Sequence, residues 1–410
     1  MKQNSGKISK LEGVVRHYAW GGFDFIPQLL HLSNPEKKPF AEYWMGAHND
    51  SPSLVHFNGS GPVALNKLIQ TDPEGLLGER VRKNFGRLPY LFKVQDVKEI
   101  LSIQVHPNKK SAEKEFEAEN KLNIPIDAPN RNYKDDNHKP ELMLALSEFY
   151  LLHGLKNPEA MRETLQNTPE LKSLLSIFDQ AGYKSLYALV MGMTQDEVNA
   201  MLQPLLDRII PLYNEGLLSK DEEDFWAARA ALTYNKPGII DRGVFSVYLL
   251  NVVRLKPGQA IFQDAGILHA YMEGKNMEIM ANSDNVLRGG LTPKHVDVPE
   301  LMKHVRFEAV DPEIIRGIPI EENGEEIFPS PAADFELRRL QLQSGEEIRM
   351  KTTTADIFFV LDGNVEASCN KESIELKGGE SLFAAANSDI QFKARLDSMI
   401  FHATVPFPQS

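Results

Sequence analysis

Four side chains able to bind a metal lie far apart along this chain, and any fold it adopts has to gather them. Leu101-Ser-Ile-Gln-Val-His-Pro107 offers Gln104 and His106, His138-Lys-Pro-Glu141 offers Glu141, and Gly266-Ile-Leu-His-Ala-Tyr271 offers His269. Two imidazoles, one carboxylate and one amide oxygen suffice for a divalent ion with a position left for water or substrate, and hence for Lewis-acid chemistry. Each island is strand-like or ends a strand. Gln104 and His106 are two apart, so on an extended strand both leave the same face. Lys139 and Glu141 do the same, with Pro140 between them marking a strand start or edge. Taken singly, His106 reads as a core histidine and Glu141 as a solvated carboxylate; the convergence of all four carries the metal reading.

The rest of the chain shows what must fold around them. Short apolar runs at 63–65, 88–94, 100–106, 142–146 and 149–152 read as strands, with 112–119 an interposed charged helix. The period then changes. Thr168-Pro-Glu is an N-cap and first-turn signal followed by Leu171, Leu174, Leu175 and Phe178 at helical spacing, and Thr194–Glu197 and Ser219–Glu222 are capping-box patterns. Strand character resumes over 244–253, and Lys256-Pro-Gly-Gln259 is a turn before Ala260-Ile-Phe. His269 meets His106 only if the chain leaves a β domain, makes a helical excursion and returns. The expected class is therefore mainly β with an α-helical insertion. Residues 1–155 and 237–325 form one discontinuous metal-bearing domain, 156–236 a helical domain, and 326–410 a C-terminal jelly roll with Gly turns at about ten-residue spacing. The last contains a single histidine, His402.

Composition excludes several classes. A chain of 410 residues is long for one core. Its net charge of −12 and lack of a long basic run argue against nucleic acid or an anionic membrane as partner. No run approaches the ~18 apolar residues of a membrane span, and the first residues carry no apolar leader. One cysteine, Cys369, excludes an intrachain disulfide and fits the cytoplasm.

A second cluster follows the third island. Asn282-Ser-Asp-Asn-Val-Leu-Arg-Gly-Gly-Leu-Thr-Pro-Lys294 carries two cations among glycines and polar residues. Arg288 there can present its planar fork to a phosphate or an enolate oxygen. Lys93 interrupts an apolar strand and reads either as an edge lysine whose ammonium reaches solvent or as an inward cation near the metal. Ser102 shares a strand face with Gln104 and can donate to a phosphate oxygen.

These four motifs, with Trp20-Gly21 and Ala41-Glu-Tyr-Trp-Met-Gly-Ala-His48, closely resemble the type I mannose-6-phosphate isomerases, in order and over nearly the whole chain. The resemblance implies a cupin-like fold of two jelly rolls and a helical domain, and one Zn2+ per chain held by Gln104, His106, Glu141 and His269. It implies Arg288 as a catalytic residue and a sugar-phosphate pocket lined by Trp20, Glu42, Lys93, Ser102, Lys139, Tyr271, Glu278 and Lys294, with His48 nearby. Two departures touch no ligand: Gly289-Gly290 stands where Ala-Gly is usual, and Met45-Gly-Ala-His48 where Gly-Thr-His is usual. The implied protein is a cytoplasmic monomer that interconverts mannose 6-phosphate and fructose 6-phosphate through an enediol. The base is open among Glu278, His48, Lys139 and a hydroxide on the metal. The alternatives are a non-catalytic cupin binding metal and sugar phosphate, and an iron-dependent cupin oxygenase.

Overall fold

The computed structural model describes residues 7–57, 61–320 and 324–407, a mostly sheet architecture with helices. The larger sheet has eleven strands. Its main path runs Ile315–Arg316, Gln259–Gln263, Glu141–Ala145, His269–Ala281, Tyr90–Val97, Glu42–Gly46 and Val14–Arg16, and the strands Ile103–Val105, Phe149–Leu155, Leu250–Leu255 and Leu287–Gly290 join around His269–Ala281. That long central strand pairs antiparallel with four others, so residues distant in sequence become neighbours across it.

A nine-stranded sheet collects most of the C-terminal strands, and Ser381–Ala384 in it pairs with Ile8–Glu12 from the start of the chain. Leu54–His56 and Val63–Ala64 extend the same edge. A four-stranded sheet of Glu347–Lys351, Asp389–Ala394, Asn364–Cys369 and Glu372–Lys377 packs on it over a core that includes Phe358, Phe392 and Ile400. The two larger sheets meet through Tyr43, Phe92, Phe359 and Phe401. Helices cover the face of the larger sheet that carries Ile103, Val105, Leu152 and Met272.

Glu141 begins its strand directly after Pro140, as expected, and the charged helix spans Lys109–Lys121. Thr194 and Glu197 form the reciprocal capping box that opens the helix Gln195–Asn214. Five expectations are corrected. The run 244–253 is not one strand: Gly243–Leu249 is helical and only Leu250–Leu255 is extended. All seven helical residues are buried, Ser246 among them, so the run carried neither the two-residue nor the 3.6-residue period, and packing decided. Thr168 does not cap a helix with its side chain; its N–H closes the preceding helix Pro158–Asn167 on Thr164, a 3-10 turn follows, and the helix starts at Ser173. Ser219–Glu222 is a turn leading to the helix Glu223–Tyr234, with no side-chain cap. The strand expected over 100–106 is short, Ile103–Val105, with His106 at its exit; Leu65 starts a helix rather than ending a strand.

Candidate metal centre and its cavity

Strand register assembles the site. His269 starts the long central strand opposite Gln104, which also pairs with Arg288; farther along, Met280 lies opposite Glu141. His106 Nε2 stands 3.5 Å from Glu141 Oε1 and His269 Nε2 3.4 Å from Glu141 Oε2, with all three side chains buried. Their donor atoms lie within 4.8 Å of one another.

The outer nitrogens are already committed. His106 Nδ1 is 2.8 Å from the Asn285 carbonyl and His269 Nδ1 2.9 Å from the Ile267 carbonyl, so each ring donates outward and turns a bare Nε2 toward the carboxylate. His106 Nε2 is fully buried and without a hydrogen-bond partner among the described residues. Burial, opposed by Glu141, pushes the His106 imidazole down to about 4, so it is neutral at pH 7. Burial works against the charge of Glu141, yet its surroundings, with the Lys139 ammonium at 3.4 Å, hold it well below the usual carboxylate range. Two imidazole Nε2 atoms and a carboxylate aimed at one point are the donor set a divalent ion needs.

Beside this cluster lies a buried charge network. Lys93 Nζ reaches Glu278 at 2.9 Å and Glu42 at 3.8 Å. Gln95 Nε2 donates to both carboxylates at 2.6 and 3.2 Å, Trp44 Nε1 donates to Glu42 at 2.6 Å, and the Tyr271 hydroxyl donates to Glu278 at 2.8 Å. Burial disfavours the ammonium of Lys93, but Glu278, Glu42 and Glu141 outweigh it and raise its pKa. Burial, against the pull of Lys93 and with the push of Glu141 and Glu42, raises that of Glu278.

A cavity of about 830 Å³ opens over these groups. Of the residues expected from sequence, Trp20, Glu42, Lys93, Ser102, Gln104, Lys139, Arg288 and Lys294 line it. Lys139 Nζ sits 3.4 Å from Glu141 Oε1, between cavity and cluster. Tyr271 and Glu278 stand behind the wall, joined to it through Lys93. His48 lines an adjoining cavity and meets Asp284 at 3.1 Å, and Asp284 borders both. Burial lowers the Arg288 pKa; burial, Arg288 and Lys134 lower that of Lys294. The mouth is thus a place where cations crowd one another.

Sequence reasoning missed Gln95, Asp284 and Asn285. Gln95 shares its strand face with Lys93, so two-residue alternation was signal enough. Asp284 lies inside the polar motif that drew attention to Arg288. Asn285 serves His106 through its backbone carbonyl, which no residue pattern announces.

The profile of the family "Phosphomannose isomerase type I, catalytic domain" matches residues 8–157. Over 384 residues the chain is 39% identical to the mannose-6-phosphate isomerase of Escherichia coli, covering 93% of this chain and 95% of that one. It is 33% identical to the enzyme of the same name from Macaca fascicularis, covering 97% and 98%. Among solved structures it superposes with a TM-score of 0.87 and 34% identity on the Salmonella typhimurium mannose 6-phosphate isomerase bound to fructose 6-phosphate and zinc, covering 98% of this chain and all of that one.

Proposed function

Because this chain belongs to the type I phosphomannose isomerase family, we infer that its buried histidine–carboxylate cluster serves an aldose–ketose isomerase. It interconverts mannose 6-phosphate and fructose 6-phosphate and uses zinc. The observation that carries this is the pair of bare Nε2 atoms aimed at Glu141 on the floor of a cation-lined cavity. His106, Glu141 and His269 hold the ion, with Gln104, on the paired strand and lining the cavity, as the fourth donor. When bound, zinc supplies Lewis-acid polarisation of the sugar's oxygens.

The chain's own residues do the rest. Ser102, Lys294 and the cations around them take the phosphate, so remote binding energy orients C1 and C2. Trp20 and Glu42 shape the wall beside the sugar, and Tyr271 and Glu278 hold Lys93 in place from behind. Isomerisation removes the proton from C2 of the aldose and returns one to C1. Asp284 faces the cavity as a carboxylate that His48, outweighing burial, holds below its ordinary pKa, and it is our candidate to carry that proton. Arg288 and Lys139 place fixed positive charge where the enediolate oxygen develops. Of the bases expected from sequence, Lys139 alone reaches the cavity wall; Glu278 is tied to Lys93, Gln95 and Tyr271.

Two large sheets flanked by helices support a cupin-like reading of two jelly rolls and a helical domain, with 1–155 and 237–325, 156–236 and 326–410 as the three domains and Ile8–Glu12, Leu54–His56 and Val63–Ala64 lending strands to the C-terminal sheet. A single buried cysteine fits the cytoplasm. A coupled assay for fructose 6-phosphate formed from mannose 6-phosphate, with elemental analysis of the same sample, tests the proposal. Zinc-loaded protein without turnover would leave only the non-catalytic cupin.

A further inference from the structure

We propose that Asp241 is a positioning residue through which the helical part of the chain holds the cationic segment 288–294 in the cavity wall; the proposal rests on the isomerase reading above. Asp241 stands at the wall itself, two residues before the helix Gly243–Leu249. Its Oδ1 accepts from the backbone N–H of Gly243 at 2.7 Å and of Leu291 at 2.8 Å, and its Oδ2 from that of Thr292 at 3.2 Å. One carboxylate therefore ties the start of a helix to the two residues that follow the strand Leu287–Gly290. Bonds to an ionised acceptor are stronger than those between neutral groups.

The segment it holds is strained and tightly seated. Leu291 is fully buried at a φ of 52°, a left-handed conformation that leucine enters only when its surroundings impose it. Gly290 lies at φ 123°, and a Cβ there would stand 2.6 Å from Gly243 Cα; a Cβ on Gly243 would stand 2.6 Å from the Leu291 nitrogen. The two backbones touch, and glycine at both positions permits the approach. Asp241 is itself fixed, its N–H received by Asn235 Oδ1 at 3.0 Å just after the helix Glu223–Tyr234.

Arg288 lies three residues before Leu291, and Lys294 two after Thr292. Like charges held close in one wall need a scaffold that resists their separation, and the strained turn between them is that scaffold. Asp241 touches no reacting atom in this account; it acts by keeping the guanidinium and the ammonium where substrate arrives.

The test compares the full-length parent with Asp241→Ala and Asp241→Asn, reading zinc content, kcat/KM for mannose 6-phosphate per bound zinc, and inhibition by inorganic phosphate. Asp241→Ala is expected to retain zinc while kcat/KM falls about 100-fold, the scale of an ångström-sized misplacement. Its phosphate inhibition constant should weaken about tenfold, one decade per 1.4 kcal/mol of lost interaction. Asp241→Asn keeps an acceptor for Gly243 and Leu291 but turns an amide NH2 toward Thr292, so it should fall about tenfold, between the other two. A role confined to stability would lower the melting temperature and leave kcat/KM per zinc unchanged. Either variant with zinc bound and kcat/KM within about threefold of the parent overturns the proposal; if Asp241→Ala does not fold, Asp241→Asn decides. A zinc-loaded parent inactive on mannose 6-phosphate would instead defeat the isomerase reading. Calorimetric binding of inorganic phosphate to parent and variants would then decide the role of Asp241.

Discussion

Raising the pH removes a proton from the middle of the nine-stranded sheet, and the neighbours of His402 set the resulting loss of stability. His402 lies buried in the strand Ser398–Thr404, with Nδ1 2.7 Å from Glu325 Oε1, Nε2 3.1 Å from Asp356 Oδ2, and its ring stacked on Phe358 at 4.2 Å. Arg338 also reaches Glu325 at 3.0 Å, and the Thr404 hydroxyl donates to Asp356 at 2.7 Å. Burial disfavours the imidazolium, but Glu325 and Asp356 outweigh it and raise His402 to about 9. Burial likewise opposes the charge of Glu325, yet His402 and Arg338 hold it down to about 2. A histidine with a raised folded pKa contributes its full stabilisation below the unfolded value near 6.5 and loses it as pH climbs through about 9. A shift of this size corresponds to about 3 kcal/mol across that window. The Glu325 contribution is complete above its ordinary value of 4.5 and disappears as pH falls through about 2. Urea denaturation at pH 6 and pH 9.5 measures the first effect, with His402→Gln as a partner that cannot titrate. The parent should lose about 3 kcal/mol more than the variant between the two pH values. Equal losses in the two proteins would show that His402 is not a charged member of this network.

Three further outcomes are expected. His269→Ala should lose bound zinc and isomerase activity together, checked by elemental analysis beside the coupled assay; activity without metal would refute the ligand set. Arg288→Ala should keep its zinc and lose turnover by about 100-fold or more if the guanidinium stabilises developing negative charge, and near-normal kcat would remove it from that role. Lys93→Met should leave Glu278 and Glu42 without their buried cation, lowering stability by about 3–5 kcal/mol at pH 7, with part regained on acidification as Glu278 protonates. A loss under about 1 kcal/mol in a denaturation titration would contradict the buried network.

The candidate metal site was legible because its donors are chemically distinctive and their strands short. Gln104, His106, Glu141 and His269 could be named from three islands, and the pairing around one long strand brings His106, Glu141 and His269 together with Gln104 on the strand opposite His269. What stayed illegible depended on packing. The run from Val244 to Val253 is apolar but for Ser246 and Asn251, and burial of the helix on all sides erased the period that separates helix from strand. Thr168-Pro-Glu has the composition of a helix start, yet the Thr168 N–H was already taken by the turn before it. Asn285 supplies only a main-chain oxygen to His106, and Asp241 only a carboxylate to other residues' amides. Such roles follow from where a backbone passes.

The pairing of Ile8–Glu12 with Ser381–Ala384 gives this chain an unusual order of completion. A ribosome releases the first strand long before its partner exists, so that edge must wait for almost the entire polypeptide. Contacts spanning such sequence distance slow folding and leave unpaired edges exposed meanwhile. Trimming the chain before its last strands would therefore do more than shorten the C-terminal sheet: it would leave the opening strand paired only with Leu54–His56 and offer its other, bare β edge to other molecules.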